Sequence, residues 1–405
     1  MTRTIVGGTP SARPESLAQK PVLVVDDFHN MRSTLRQMLL TAGYETIDVA
    51  VDGEDAIDKL TQRRYEIVLC DYNLGEGLDG QQVLDLARAR GLLEVSTLFI
   101  MVTAETTSDM VMGAVESMPD GYLSKPFSKD LLAVRLDRGL RRKQSLKRLD
   151  PFLRRGDLAG AIQEAGRMLD AGEGRESDLI RLRAYWAWQT GDLDLARTSA
   201  RTAWENVRVA WAGSLLADLD ALAGEVAVAE AGYREVMRET PQFMPAHDHL
   251  ATLLKGQGRA AEALEILRAA AERSPKSLGR QRALGELAQA NGEAELALQA
   301  WRRALRIARQ LGQPHPSDAV GRIGALIASG DTRKARQAVR DLDRDFANHP
   351  EQPWYSVLAR LRLAAGGARG EMDGALRALE ALPAEGMPEP VREPLNHVLA
   401  ELGQT

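Results

Sequence analysis

The chain has one cysteine, Cys70, in 405 residues. An intramolecular disulfide is excluded, and such usage fits a reducing compartment. No apolar run approaches the roughly 20 residues a membrane-spanning helix needs. The first twenty residues lack the apolar stretch of a secretion signal and are rich in Gly, Pro, Ser and Thr, so 1–20 is expected to be a flexible tail. Neither sign of charge dominates. Lys and Arg number 52 against 57 Asp and Glu, a formal net charge of −5, which gives no global attraction to nucleic acid or an anionic membrane. A glycine-rich phosphate loop and zinc-ligand spacings are also missing. The expectation is a soluble, cytoplasmic protein.

What is present is ordinary globular material, 44% hydrophobic and 27% charged, in a chain long enough for two or three domains. From Pro21 to Leu149, apolar runs alternate with helical spacing. Strands are expected at 22–25, 46–50, 67–70, 97–102 and 121–123, with helices such as 31–41 and 82–90 between them. Such alternation predicts a doubly wound α/β domain with a five-stranded parallel sheet. Ligands of these sheets bind beyond the carboxyl ends of the strands. Those ends carry Asp26, Asp27, Asp71 and Thr103.

After Leu149 a different regularity takes over. Gly156, Gly191, Gly224, Gly258, Gly292 and Gly330 follow one another at steps of 35, 33, 34, 34 and 38. Five residues beyond each stands an alanine: Ala161, Ala196, Ala229, Ala263, Ala297 and Ala335. A period near 34 with helical patterning predicts a tetratricopeptide-type (TPR-like) helical array over 150–405. Each glycine can close the first helix of a pair in the left-handed conformation. The acidic residue after most of them suits the positive end of the second helix. Pro241 and Pro275 should mark where second helices stop. Asp150-Pro151 reads as an N-cap and first-turn proline opening the helical region.

Asp26, Asp27, Asp71, Thr103 and Lys125 form the one constellation with chemical promise. Clustered carboxylates repel unless a hard cation such as Mg²⁺ joins them. A lysine and a hydroxyl nearby would suit a phosphoryl group, and Asp71 could be a nucleophile.

The segments VVDD (24–27), CDYN (70–73), MVTAE (101–105) and YLSKPF (122–127) resemble the receiver domain of two-component response regulators, over 21–149. The resemblance implies that Asp71 accepts a phosphoryl group from a histidine kinase or phosphotransfer protein. It implies Mg²⁺ held directly by Asp27, Asp71 and the Asn73 main-chain carbonyl, with Asp26 acting through water. Thr103 and Tyr122 would be the switch pair, and Lys125 would hold a phosphoryl oxygen, with a cis bond before Pro126. Asn73 and Glu105 occupy positions that influence the lifetime of the phosphorylated state, so a transient one is expected. The chain departs from the pattern behind Asp71, where Gly75 replaces a frequent proline and Glu76-Gly77 lengthens the loop. A less rigid loop is expected there.

No catalytic constellation stands out beyond Leu149, so an enzyme is not expected apart from the receiver's own phosphorylation and dephosphorylation. His247-Asp248-His249 is a poor metal site, because neighbours at i and i+2 on a helix diverge. The array is expected to bind an unknown protein along the first helix of each pair, through Arg181, Tyr185, Trp188, Asp218, Asp248, Thr252, Lys255, Arg282 and Glu286. A homodimer is a further expected partner state. Two alternatives remain: a transcription regulator using the basic stretch 135–148 on DNA, and a scaffold indifferent to phosphorylation.

Overall fold

The computed structural model describes residues 17–104 and 119–403; most of the expected tail, and Glu105, lie outside them. The chain divides into two compact units. The first comprises described residues up to Thr190, and the second runs from Gly191.

The first unit is built on a five-stranded parallel sheet of order β2-β1-β3-β4-β5. Its strands are β1 (Val22–Val25), β2 (Ile47–Ala50), β3 (Ile67–Asp71), β4 (Leu98–Thr103) and β5 (Gly121–Ser124). β1, β3 and β4 are buried along their whole length, which is why they read as unbroken apolar runs rather than alternating ones. Helices α1 (His29–Thr41), α2 (Gly53–Gln62), α3 (Gly80–Ala89) and α4 (Lys129–Gln144) accompany the sheet. Leu35 and Leu39 of α1 and Leu132 and Leu136 of α4 close a core with Val22, Val24, Ile67 and Leu69. The chain order reverses between β1 and β3, and a ligand site of such a sheet opens at that switch.

Beyond α4 the described chain is helical apart from short connections. The helix Asp150–Arg154 begins at the expected place, but Asp150 is not its N-cap. Leu149 takes that position, and the Asp150 carboxylate is buried and accepts from the Ser96 amide and hydroxyl instead. Burial pushes this carboxyl above its usual range, with the Ser96 hydrogen bond opposing. A carboxyl raised in the folded state contributes stability present below its unfolded pKa and lost as pH rises through the folded one. Ser96→Ala removes the opposing bond. It should cost about 2 kcal/mol near neutral pH and less in acid, where Asp150 takes up a proton. Urea melts at the two pH values read the difference.

The repeated glycines and alanines share one physical explanation. All six glycines have positive φ, between 67° and 82°, a conformation nearly free for glycine alone. At Gly224 the amide bonds to the Ala221 carbonyl and the next amide, of Glu225, to the Asp220 carbonyl, a Schellman closure. The same pair of bonds recurs at Gly258, Gly292 and Gly330. Each +5 alanine is 0% exposed. Asp157, Asp192 and Asp331 cap the following helices through their side chains, whereas Glu225 and Glu293 hold the position without a side-chain bond. Helices Val226–Glu239 and Ala260–Arg273 stop two residues before Pro241 and Pro275. Trp186 and Trp301 are buried.

Candidate functional site

β1 and β3 are parallel neighbours with Val25 opposite Cys70, so the residues that follow each emerge together. This brings Asp26 and Asp27 beside Asp71, with Thr103 at the end of the adjoining β4. β5 pairs Ser124 with Thr103, which delivers Lys125 to the same edge. The bond from Lys125 to Pro126 is cis, as the resemblance implies.

Carboxylate oxygens of Asp26, Asp27 and Asp71 lie within 4.8 Å of one another. Lys125 Nζ donates to Asp26 Oδ2 at 2.9 Å and to Asp71 Oδ2 at 2.8 Å. Asp26 Oδ1 accepts from the Phe28 amide, and the Asn73 amide donates to the Asp71 carboxylate. Burial pushes the Asp71 carboxyl above the ordinary value; Lys125 opposes this, and Asp26 adds to it. Burial alone would lower the Lys125 ammonium, but hydrogen bonds and charge from Asp71 and Asp26 outweigh it and raise it. Asp27 Oδ1 is buried and has no hydrogen-bond partner. An orphaned oxygen in an all-oxygen donor set with excess negative charge fits Mg²⁺.

Thr103 is buried, and its carbonyl accepts from the Lys125 amide. Tyr122 is half-buried on β5, with a buried hydroxyl that meets no partner. Burial raises its phenol above the usual range. Cys70 is fully buried, which pushes its thiol up and leaves it a small apolar filler of the strand.

The loop behind Asp71 is held more firmly than its glycines suggest. Gly75 and Gly77 do take positive φ, 75° and 98°. Leu74 and Leu78 are nonetheless buried, and the Leu78 amide donates to Glu54 Oε1 at 3.2 Å. Leu78 sits so near Gly53 that a Cβ there would lie 2.5 Å from it. The Gly80 amide closes the loop on the Tyr72 carbonyl at 2.9 Å, and a Cβ at 80 would lie 2.2 Å from the Asp71 carbonyl oxygen. Asp79 and Gln82 then form a reciprocal capping box that starts α3. Sequence reasoning missed Glu54; its place in the first turn of α2, directly after an obligatory glycine, is the signal it left.

The basic stretch is mostly spoken for. Arg141 pairs with Asp137, Arg142 with Asp178, Lys143 with Asp120, Lys147 with Glu66, and Arg148 with Glu164 and Glu173. These bonds tie α4 and its continuation to the unit's own carboxylates. Few of these cations are left to a DNA backbone.

The expected partner-binding residues fall in both units. Arg181, Tyr185 and Trp188 belong to the first unit and the other six to the second. Tyr185 is 56% exposed. In the second unit Asp248 takes a bidentate bond from Arg280, Arg282 gives one to Asp318, and Lys255 pairs with Glu286. Asp218 accepts from Tyr233 and meets His249 Nδ1 at 2.7 Å, while Thr252 bonds the Asp248 carbonyl. Apart from the Thr252 bond, which stays within its own helix, these contacts join different helices. His247 faces the Phe243 carbonyl and His249 faces Asp218, so they share no site. Among the described residues the Asp26, Asp27, Asp71 group is the only cluster of its kind, and no helix is long and apolar enough to cross a membrane.

The chain is similar to known proteins over its N-terminal part. Residues 22–137 match the response regulator receiver domain. The chemotaxis protein CheY of Pseudomonas aeruginosa is 30% identical over 117 residues, 29% of this chain and 93% of that protein. CheY-3 of Vibrio cholerae is 31% identical over 117 residues, covering 29% and 88%. The solved structure of Vibrio cholerae CheY4 is similar at 28% identity, covering 30% of this chain and all of that one, with a TM-score of 0.29. These relatives leave most of the helical region unmatched. Through its first third, the chain belongs to the response regulator receiver family.

Proposed function

We propose that the protein is a phosphorylation-switched adaptor: Asp71 takes a phosphoryl group from a histidine kinase or phosphotransfer protein, and the change of state alters which protein the helical region holds. The observation that carries the first half is the arrangement of Lys125 between Asp26 and Asp71, beside the unpartnered Asp27 oxygen. An Asp71 oxygen attacks phosphorus, the bond from phosphorus to the donor nitrogen breaks, and an acyl phosphate forms. Attack needs the carboxylate, and Lys125 supports that form against burial. Lys125 and the Thr103 hydroxyl would meet phosphoryl oxygens. Asp26, Asp27, Asp71 and the Asn73 carbonyl would hold Mg²⁺, which neutralises charge on the transferring group. Asp26 has both oxygens engaged and Asp27 has one free, which favours Asp27 as the more direct ligand.

For the second half, support comes from the glycine–alanine period near 34, with its left-handed closures and fully buried alanines. This favours a TPR-like array, whose common task is to hold a protein segment. Domains of 21–149 and 150–405 remain our sequence-based division, with the first compact unit reaching past that boundary to Thr190.

Incubation with a small phosphoryl donor and Mg²⁺ should add one phosphoryl group by mass spectrometry, and Asp71→Asn should abolish it. Persistent labelling of Asp71→Asn at an unchanged rate would remove Asp71 from the role. Capture from extract with wild type and Asp71→Asn, each with and without donor, tests the switch. Identical sets of bound proteins in all four arms would reject it.

A further inference from the structure

Within the first unit, an open cavity of about 870 Å³ lies among β4, the edge strand β5, α4 and the turn around Gly174. Its size falls within the roughly 300–1,000 Å³ of small-molecule sites. Leu98 and Ile100 supply apolar wall, and the Tyr122 ring stands beside them. Five arginines line the remainder. Two of these are committed, Arg141 to Asp137 and Arg142 to Asp178. Arg135, Arg138 and Arg175 are exposed, and none forms an ion pair among the described residues. Asp120, the one carboxylate in the lining, is neutralised by Lys143 and also accepts from the Phe99 amide. The cavity is therefore cationic.

We propose that this cavity binds a small phosphorylated organic anion of nucleotide size, its phosphates met by Arg135, Arg138 and Arg175 and its body lying along Tyr122. Guanidinium forks suit phosphate oxygens, and an aromatic face with apolar wall suits a planar organic group. The volume selects a small molecule over an extended polymer. Arg175 comes from the helical region, so the site depends on the fusion of that region to the receiver. It does not depend on Asp71 being the phosphoacceptor.

The test is calorimetric titration of the full chain with ADP in a chelator, at about physiological salt, which keeps the Asp71 site from contributing. Saturable binding of one equivalent is expected. Arg135→Gln and Arg138→Gln should each weaken it about tenfold, the size of one charge-assisted hydrogen bond. Arg333→Gln, an exposed arginine on another helix, should leave it unchanged. Thermal melts superimposable on wild type establish that the variants fold. Absence of saturable binding overturns the proposal, as does equal loss in Arg333→Gln. Length-dependent binding of an oligonucleotide without binding of ADP would overturn it in favour of a nucleic-acid groove.

Discussion

Replacing Lys125 by methionine should cost about 3 kcal/mol of folding stability near neutral pH without divalent cations, and Mg²⁺ should restore most of it. Nζ is the shared partner of Asp26 and Asp71, at 2.9 and 2.8 Å. Its side chain is 14% exposed and the two carboxylates 1% and 8%, so water screens the three groups poorly. Methionine keeps the bulk of the aliphatic stem and removes the charge. The carboxylates are then left facing one another, with Asp27 close by.

The sign of the pH dependence follows from the direction of the Asp71 shift. Its carboxyl already lies above its ordinary value, because burial outweighs the help it receives from Lys125. Without the lysine the shift grows. A carboxyl raised on folding gives stability that is full below the unfolded pKa and lost as pH climbs through the folded one. The variant should therefore approach wild type in acid and fall progressively behind it toward neutrality. Asp71→Asn in the same background should recover stability, since it removes one of the opposed charges. Chemical unfolding with Mg²⁺ or chelator at acidic and neutral pH reads all of this. If Mg²⁺ leaves the variant's stability unchanged, the three carboxylates do not share a cation.

The parts of the fold that could be read in advance are those set by local pattern. Fully buried strands announce themselves as apolar runs, and the carboxylates that end β1 and β3 converge because adjacent parallel strands end together. The glycine period was legible because a left-handed closure has almost one residue to choose from. What escaped depended on partners distant in sequence. Asp150 looks like an N-cap beside Pro151, yet Ser96, 54 positions earlier, takes its carboxylate. Asp248, Arg282 and Lys255 could be placed by repeat position, yet their ion-pair partners, 31 to 36 residues away on the next helix but one, could not be named. The loop behind Asp71 advertises freedom through its glycines, while its Leu78 finds burial against Gly53 on another element. A residue's own neighbourhood in sequence carries its propensity; it does not carry the identity of a remote partner.

Trp301→Ala should be the most damaging single change in the second unit, at about 3–5 kcal/mol. The indole is 5% exposed and lies on the helix Ala294–Gln310. Glycines from two other helices make room for it. A Cβ at Gly285, on Leu278–Ala290, would lie 2.6 Å from the ring, and one at Gly321, on Pro316–Ala328, only 2.4 Å away. Its Nε1–H donates to Gln289 Oε1 at 2.9 Å, and that amide's nitrogen bonds the Gly321 carbonyl. Alanine would empty a space that two backbones cannot collapse to fill, and would strand the Gln289 oxygen. The complementary change, Gly321→Ala, should cost about 1–3 kcal/mol by overpacking against the same ring. If the ring is the shared cause, Trp301→Phe combined with Gly321→Ala should cost less than the sum of the separate changes. Hydrogen exchange of amides in 278–328 locates the loss, while unchanged exchange in 22–103 serves as the control for an intact first unit. Additive costs in the double variant would show that the glycines are small for some reason other than Trp301.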